Sequence, residues 1–240
     1  MKVIILAAGY ATRLYPLTEN FPKPLLAVGK STIIDRLIDD VKDCADEIIV
    51  VTNHKFADIF SKWSDGRYTI IDDGSLTNDT RLGAVKDISL AVSEKDEEYL
   101  VMAGDNVLDF SLKDFISYAK DKKASCVMRH FEGSTEKLKK TGVLSVSDDG
   151  RVLKMEEKPP QPESNWACPP FYYYRGEDIL RIDEALKEGC GYDAPGSFVA
   201  WLCKRENVYA WEMTGHRYDI GNLQSYEETK KRFEGEDNNA

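Results

Sequence analysis

The chain lacks any apolar run long enough to span a bilayer. Its one early hydrophobic stretch, Val3 to Ala8, is short and β-branched. Thr12-Arg13 follow it, which argues against a signal peptide. Cysteine is scarce: five residues (Cys44, Cys126, Cys168, Cys190, Cys203), an odd count with no CxxC pair. That argues against a disulfide framework or a zinc site and for reduced thiols in the cytoplasm. The three histidines (His54, His130, His216) are scattered, with neither triad nor zinc spacing. Positive charge is in deficit, 32 Lys and Arg against 42 Asp and Glu, a net of −10. A general nucleic-acid binder or a partner of anionic membranes needs the opposite balance. The glycine-rich GxGxxG and Walker patterns are missing as well. No repeat, low-complexity block or linker divides the 240 residues. One domain over 1–235 with a polar tail over 236–240 is expected.

What is present alternates strand and helix. Val3 to Ala7 reads as a buried strand. Ile33, Ile34, Leu37, Ile38 and Val41 form an apolar stripe at helical spacing over 32–42. Strands follow at Glu47 to Thr52, Tyr68 to Ile71 and Tyr99 to Ala103, with helices at 54–62, 81–92 and 111–121 between and after them. This is the signature of a mostly parallel sheet covered on both faces. The second half changes character. Ser125 to Phe131 is a strand, and Gly142 to Val146 and Val152 to Glu156 flank an Asp-Asp-Gly hairpin signal. An aromatic strand at Phe171 to Tyr174, helices at 177–188 and 196–204, a strand at 207–212 and a helix at 223–233 complete the reading. The tail from Glu234 is expected to fray. The four tryptophans and the Tyr172-Tyr173-Tyr174 run read as core or rim packing.

Three segments carry chemistry. The first, Leu6 to Leu25, joins the first strand to the first helix. Small residues and Gly9 let backbone amides approach an anion, and Arg13 and Lys23 add phosphate-directed donors. Residues 1–30 hold four cations against Glu19 alone, a net of +3, in an otherwise strongly acidic chain. On these residues alone the segment is either a polyanion site or an ordinary solvated loop. The second is Gly104-Asp105-Asn106, at the carboxyl end of a strand, where open α/β sheets bind ligands. The third is Tyr218-Asp219-Ile220-Gly221. Each aspartate is a candidate ligand for a hard cation, or a cap or turn residue.

These segments resemble the sugar-1-phosphate nucleotidyltransferases, especially the glucose-1-phosphate thymidylyltransferase type. Gly9, Thr12, Arg13, Leu14, Pro16, Leu17 and Thr18 match the family's G-x-x-T-R-L-x-P-L-T loop. Pro22, Lys23, Pro24 and Leu25 match its P-K-P-L. The resemblance extends through nearly the whole chain. It implies an α/β fold, a single Rossmann-like domain with a mostly parallel mixed sheet and helices on both faces. It also implies Arg13 and Lys23 as catalytic contacts to the nucleotide phosphates, in a nucleotide site formed with Leu6, Ala7, Ala8, Gly9, Thr12, Arg81, Gly83 and Asp105. Asp105 and Asp219 are the implied holders of Mg²⁺. Glu156-Glu157-Lys158-Pro159 resembles the family's E-E-K-P, and Gly142-Val143 its Y-G-V. Asn106, Gly142, Glu157, Lys158 and Tyr172 are accordingly the expected sugar-phosphate contacts.

The chain also departs from the family pattern. Arg217 stands where the W-x-D-x-G-T motif has tryptophan and Asn222 where it has threonine. Thr141 replaces the tyrosine of Y-G-V, Pro169-Pro170 replace the threonine and glycine of T-G-x-Y, and the glutamine segment before Gly83 is absent. The implied reaction joins a nucleoside triphosphate and a sugar 1-phosphate, with pyrophosphate released. dTTP or UTP is expected ahead of CTP, with purines last. Arg81 is suited to the keto oxygens of uracil or thymine and Asp79 to the amino group of cytosine. A cytidylyltransferase for another phosphorylated alcohol and a non-catalytic sensor on the same fold remain alternatives. An oxidoreductase is disfavoured by the missing glycine fingerprint. Longer family members build tetramers from extra C-terminal helices, whereas about one helix follows Asp219 here, so a monomer or homodimer is expected.

Overall fold

The computed structural model describes residues 1–95 and 97–236. The chain runs β1 (Lys2–Leu6), the small hairpin β2 (Ala27–Val28) and β3 (Ser31–Thr32), α1 (Ile33–Val41), β4 (Glu47–Thr52), α2 (Ala57–Ser64), β5 (Thr69–Asp72), α3 (Ala84–Ala91), β6 (Glu98–Ala103) and β7 (Asn106–Leu108). It continues with α4 (Lys113–Lys122), β8 (Ser125–Phe131), α5 (Thr135–Leu138), β9 (Gly142–Val146), β10 (Val152–Glu157), β11 (Trp166–Cys168) and β12 (Phe171–Arg175). Then come α6 (Gly176–Ile179), α7 (Ile182–Lys187), α8 (Gly196–Leu202), β13 (Val208–Glu212), β14 (Arg217–Asp219) and α9 (Leu223–Glu236).

The strands read from the apolar runs fall where the pattern placed them. Residues 81–92 start their helix three residues late, because Gly83 at φ +92° cannot belong to it. The single helix expected over 177–188 is two, α6 and α7. The last helix extends through Glu234 to Glu236, past the expected boundary at 235, and residues 237–240 of the polar tail lie outside the described residues. The hairpin β2–β3, the strands β7, β11 and β14, and α5 were not expected. All are five residues or shorter, too short for periodicity to reveal.

β1 is central, with β4 and β6 parallel on either side and β5 outside β4. β12 returns antiparallel along β6. β8 pairs with β12 through Cys126 and Val127 and with β11 through His130 and Phe131, and β9 and β10 extend that side. β13 runs parallel along the other edge of β8. Successive residues of a strand point to opposite faces. Ile4 therefore joins the core beneath α3, α7 and α8, while Val3 and Ile5 join the one beneath α1, α2 and α4. Burial on both faces explains why β1 and β4 are nearly uninterrupted apolar runs. α1 starts where Thr32 Oγ1 accepts a hydrogen bond from Asp35 N at 3.1 Å. Among the described residues no helix is long and apolar enough to cross a membrane.

A third, smaller core positions the site. Leu14, Leu26, Val28, Ile33, Val107, Ile220, Tyr226 and Phe233 bury one another. They come from the N-terminal loop, β2, the start of α1, β7, the segment after β14, and α9. Their burial draws three chemically promising segments to one end of the sheet, at the carboxyl ends of β1 and β6.

Candidate active site

Two clefts meet at that end. The smaller, about 490 Å³, is lined by Leu6, Ala7, Gly9, Thr12, Arg13, Lys23, Arg81 and Asp105, with Tyr10 and Asn78 beside them. The protein ties this loop from behind. Asn53, fully buried, donates to Ala8 O at 3.0 Å, and Tyr10 Oη donates to Ser75 O at 2.9 Å. Thr18 Oγ1 donates to Ala11 O at 2.8 Å, while Ala11 takes the left-handed conformation at φ +48°. A side chain at Gly9 would meet no protein atom within 4 Å, so the protein itself makes no use of the space this glycine leaves. Arg13 is exposed on the cleft and has no ion-pair partner among the described residues.

Two expected nucleotide contacts line neither cleft. Ala8 is buried, with its carbonyl held by Asn53. Gly83 is packed so closely on Tyr192 that a Cβ there would stand 2.6 Å from Tyr192 O. The carbonyls of Tyr192 and Asp193 also accept from Val85 N and Ala84 N, occupying the start of α3. Arg81 does reach the cleft, but its fork is engaged. Nε and Nη2 bond Asp193 at 3.0 and 2.9 Å, and Nη1 donates to Asn78 O at 3.1 Å. The guanidinium expected to face a base is committed to a carboxylate 112 residues away.

The larger cleft, about 1330 Å³, is lined by every residue expected on the sugar-phosphate side (Asn106, Gly142, Glu157, Lys158 and Tyr172) and by Asp105 and Asp219. Tyr172 is buried in its floor and stacks on Tyr174, with centroids 5.9 Å apart. Lys158 is exposed at φ +49°, its amide donating to Thr141 O at 3.0 Å. Burial pushes the Glu157 carboxyl above its ordinary range; Lys158 opposes this and Asp193 reinforces it. Gly196 packs against that carboxylate: a Cβ there would displace the Glu157 carboxylate and the Met155 methyl.

Leu6, Ala103 and Asp105 line both clefts. Lys23, itself buried, donates Nζ to Asp105 Oδ2 at 2.8 Å. Asn106 Nδ2 donates to Asp105 Oδ1 at 2.7 Å, and Arg217 Nη1 donates to Asn106 Oδ1 at 2.6 Å. Arg217 Nη1 stands 4.0 Å from Asp219 Oδ2. Burial alone would raise the Asp105 pKa. Lys23, by charge and hydrogen bond, and then Arg217 outweigh it and hold the carboxyl below its ordinary range. The antiparallel pairing of β14 with β7 places Asp219 opposite Asn106, and Ile220 N donates to Asp105 O at 3.3 Å. The two aspartates thus flank one short ladder.

These carboxylates fit a hard divalent cation such as Mg²⁺, which binds through one or two carboxylates and completes its shell with water and phosphate oxygen. Among the described residues no group of three or more His, Cys, Asp or Glu is gathered around a metal position. A bound ligand would supply the remaining oxygens. Sequence reasoning assigned no role to several cleft residues, among them His130 and Arg217. His130 sits alone in its strand and gives no local signal. Arg217 lies two residues before Asp219, and the period of a strand puts both on one face.

Residues 2–236 match the Nucleotidyl transferase family. The UTP–glucose-1-phosphate uridylyltransferase AglF of Haloferax volcanii is 25% identical over 242 residues, covering 100% of this chain and 99% of that one. The bifunctional protein GlmU of Methanocaldococcus jannaschii is 26% identical over 222 residues, 92% of this chain and 51% of that one, so the chain spans about half of that relative. The solved CTP:phosphocholine cytidylyltransferase of Streptococcus pneumoniae superposes with a TM-score of 0.78 at 22% identity, covering 96% of this chain and 98% of that one, and so shares the fold. Matched over residues 2–236, nearly its whole length, the chain belongs to the nucleotidyl transferase family.

Proposed function

We propose that the protein transfers a nucleoside monophosphate from a nucleoside triphosphate to a sugar 1-phosphate, releasing pyrophosphate and forming a nucleotide sugar. The observation that carries this reading is the position of Asp105 on the wall shared by two clefts, with Lys23 from one and Arg217 beyond Asn106 from the other. In-line transfer needs two anionic ligands brought together at such a seam.

The smaller cleft takes the triphosphate. The backbone of Leu6 to Gly9 and Thr12, with Arg13 and Lys23, holds its phosphates. The larger cleft takes the acceptor. Lys158 binds its phosphate, while Glu157, Asn106, Tyr172 and the backbone at Gly142 face its hydroxyls. An acceptor phosphate oxygen forms the new bond to the α-phosphorus as the bond from that phosphorus to the β-phosphate bridging oxygen breaks. The nucleophile is already ionised near neutral pH, so no strong base is required. Arg13, which has no ion-pair partner among the described residues, stabilises charge developing on the α-phosphate and the leaving pyrophosphate. Asp105 and Asp219 are the residues that would hold Mg²⁺, which when bound neutralises phosphate charge.

The acidic surface supports small-molecule substrates over nucleic acid or membrane, and the five free cysteines support a cytoplasmic setting. The base order, dTTP or UTP before CTP and all three before purines, rests on the resemblance and on AglF. The Arg81–Asp193 pair leaves it without a dedicated donor in the unliganded protein. The test is pyrophosphate release with each triphosphate against a panel of sugar 1-phosphates in Mg²⁺. Release only with both substrates present is expected. No release with any pair would overturn the assignment.

A further inference from the structure

Arg217 keeps donors to spare beside its one hydrogen bond and its loose 4.0 Å ion pair with Asp219. Only Nη1 of its guanidinium is bonded, to Asn106 Oδ1; among the described residues Nε and Nη2 meet no acceptor. The side chain is 18% exposed, and what is exposed lines the larger cleft. Neither nearby carboxylate satisfies it. Asp219 at 4.0 Å is beyond hydrogen-bond reach, and Asp105 already accepts from Lys23 and Asn106. Its charge reaches His130, Cys168 and Tyr172, all on the wall and floor of the same cleft. A half-enclosed guanidinium with free donors suits a planar, forked anion, and phosphate is the form such an anion takes here.

Resting on the function proposed above, we infer that Arg217 binds the acceptor's phosphate from the floor of the larger cleft, as the counterpart there of Lys23 in the nucleotide cleft. The two cations lie on opposite sides of the Asp105–Asn106 pair, and each neutralises one of the two phosphates that must approach despite like charge. Asn106 is the positioning residue. Buried, and bonded to both Asp105 and Arg217, it keeps one arm of the guanidinium fixed so that the remaining edge faces the ligand. This also gives a physical sense to the departure from the family's tryptophan at 217: an aromatic ring offers a surface, whereas arginine offers directed positive charge.

The test uses the intact wild-type protein and two variants. Phenylglyoxal modifies exposed arginine, and peptide mass spectrometry reads which residue reacts. Inorganic phosphate and glucose 1-phosphate at millimolar concentration should slow modification of Arg217, while glucose should not. This readout requires neither turnover nor a mutant. In parallel, Arg217→Gln should weaken binding of glucose 1-phosphate, measured calorimetrically without triphosphate or Mg²⁺, by about 10- to 100-fold. Arg217→Lys should recover part of that loss, and triphosphate binding should stay within about twofold, as expected for a group confined to the other cleft. Modification of Arg217 at the same rate with and without phosphate would overturn the inference even if pyrophosphate release is robust. Protection by phosphate in a protein that never releases pyrophosphate would leave Arg217 a phosphate ligand and remove the transfer reaction instead.

Discussion

Lys23 Nζ and Asp105 Oδ2 stand 2.8 Å apart, although 82 residues separate them and each lines the nucleotide cleft. The Lys23 ammonium, with Arg217, outweighs burial and holds the Asp105 carboxyl below its ordinary range. Under the function proposed above, this pair is where a divalent cation and a triphosphate would each find an oppositely charged partner.

The carboxylates lead to the first prediction. Asp105→Asn and Asp219→Asn should each lower turnover at least about 100-fold at saturating Mg²⁺ while the fold is kept. Pyrophosphate release read beside far-ultraviolet circular dichroism checks it. A near-normal rate in either variant removes that residue from the role.

Arg13 tests where charge stabilisation acts. Among the described residues it has no partner to orphan, so Arg13→Ala should leave the fold intact. The variant should lower kcat more than it weakens acceptor binding, because the charge it meets grows toward the transition state. A raised KM at unchanged kcat would assign Arg13 to uniform binding.

Stability should depend on pH through Asp87. Burial, helped by Asp73, pushes this carboxyl on α3 up to about 7 from its ordinary 3.8. The folded protein then holds a proton that the unfolded chain has released. Its contribution is complete below about pH 4 and is lost as pH rises to about 7, above which the loss levels off. Asp87→Asn should remove this decline, so urea midpoints of variant and parent should diverge in the variant's favour between about pH 4 and 7 and then run parallel. Curves parallel across that whole range would place the titration elsewhere.

Gly83 separates packing from ligand contact. With φ +92° and Tyr192 O only 2.6 Å from where a Cβ would stand, Gly83→Ala should cost about 2–3 kcal/mol. That corresponds to a melting temperature lower by roughly 5–10 °C at this chain length. An unchanged melting temperature with weakened triphosphate binding would restore the glycine to the nucleotide site.

The signature loop, the Asp105 turn and the strand end at Glu157 were legible through their resemblance to the family's motifs; the local pattern alone, cations after an apolar strand or a carboxylate where a strand stops, fits a solvated loop, a turn or a strand end equally well. In the structure Gly9, Arg13 and Lys23 line the smaller cleft and the acceptor-side residues the larger. Arg81 shows where local reading ends. Its sequence neighbourhood suggests a free donor at a helix start, yet its partner Asp193 arrives from a distant loop. Gly83 likewise reads as a residue open to ligand until Tyr192 covers it.

By itself the sequence determined the order of strands and helices and the chemistry each loop carries, since periodicity and turn residues act over a few neighbouring positions. Only the tertiary structure decided which of these groups meet. The three-residue strands β7 and β14 hold Asp219 opposite Asn106, and neither is long enough to announce itself. Their pairing is settled by the burial of Leu14, Val107, Ile220 and Phe233 against one another, apolar residues from four distant parts of the chain. Hydrophobic burial has no preferred sequence separation, so the couplings Lys23–Asp105 and Asn106–Arg217 exist only once that small core has closed.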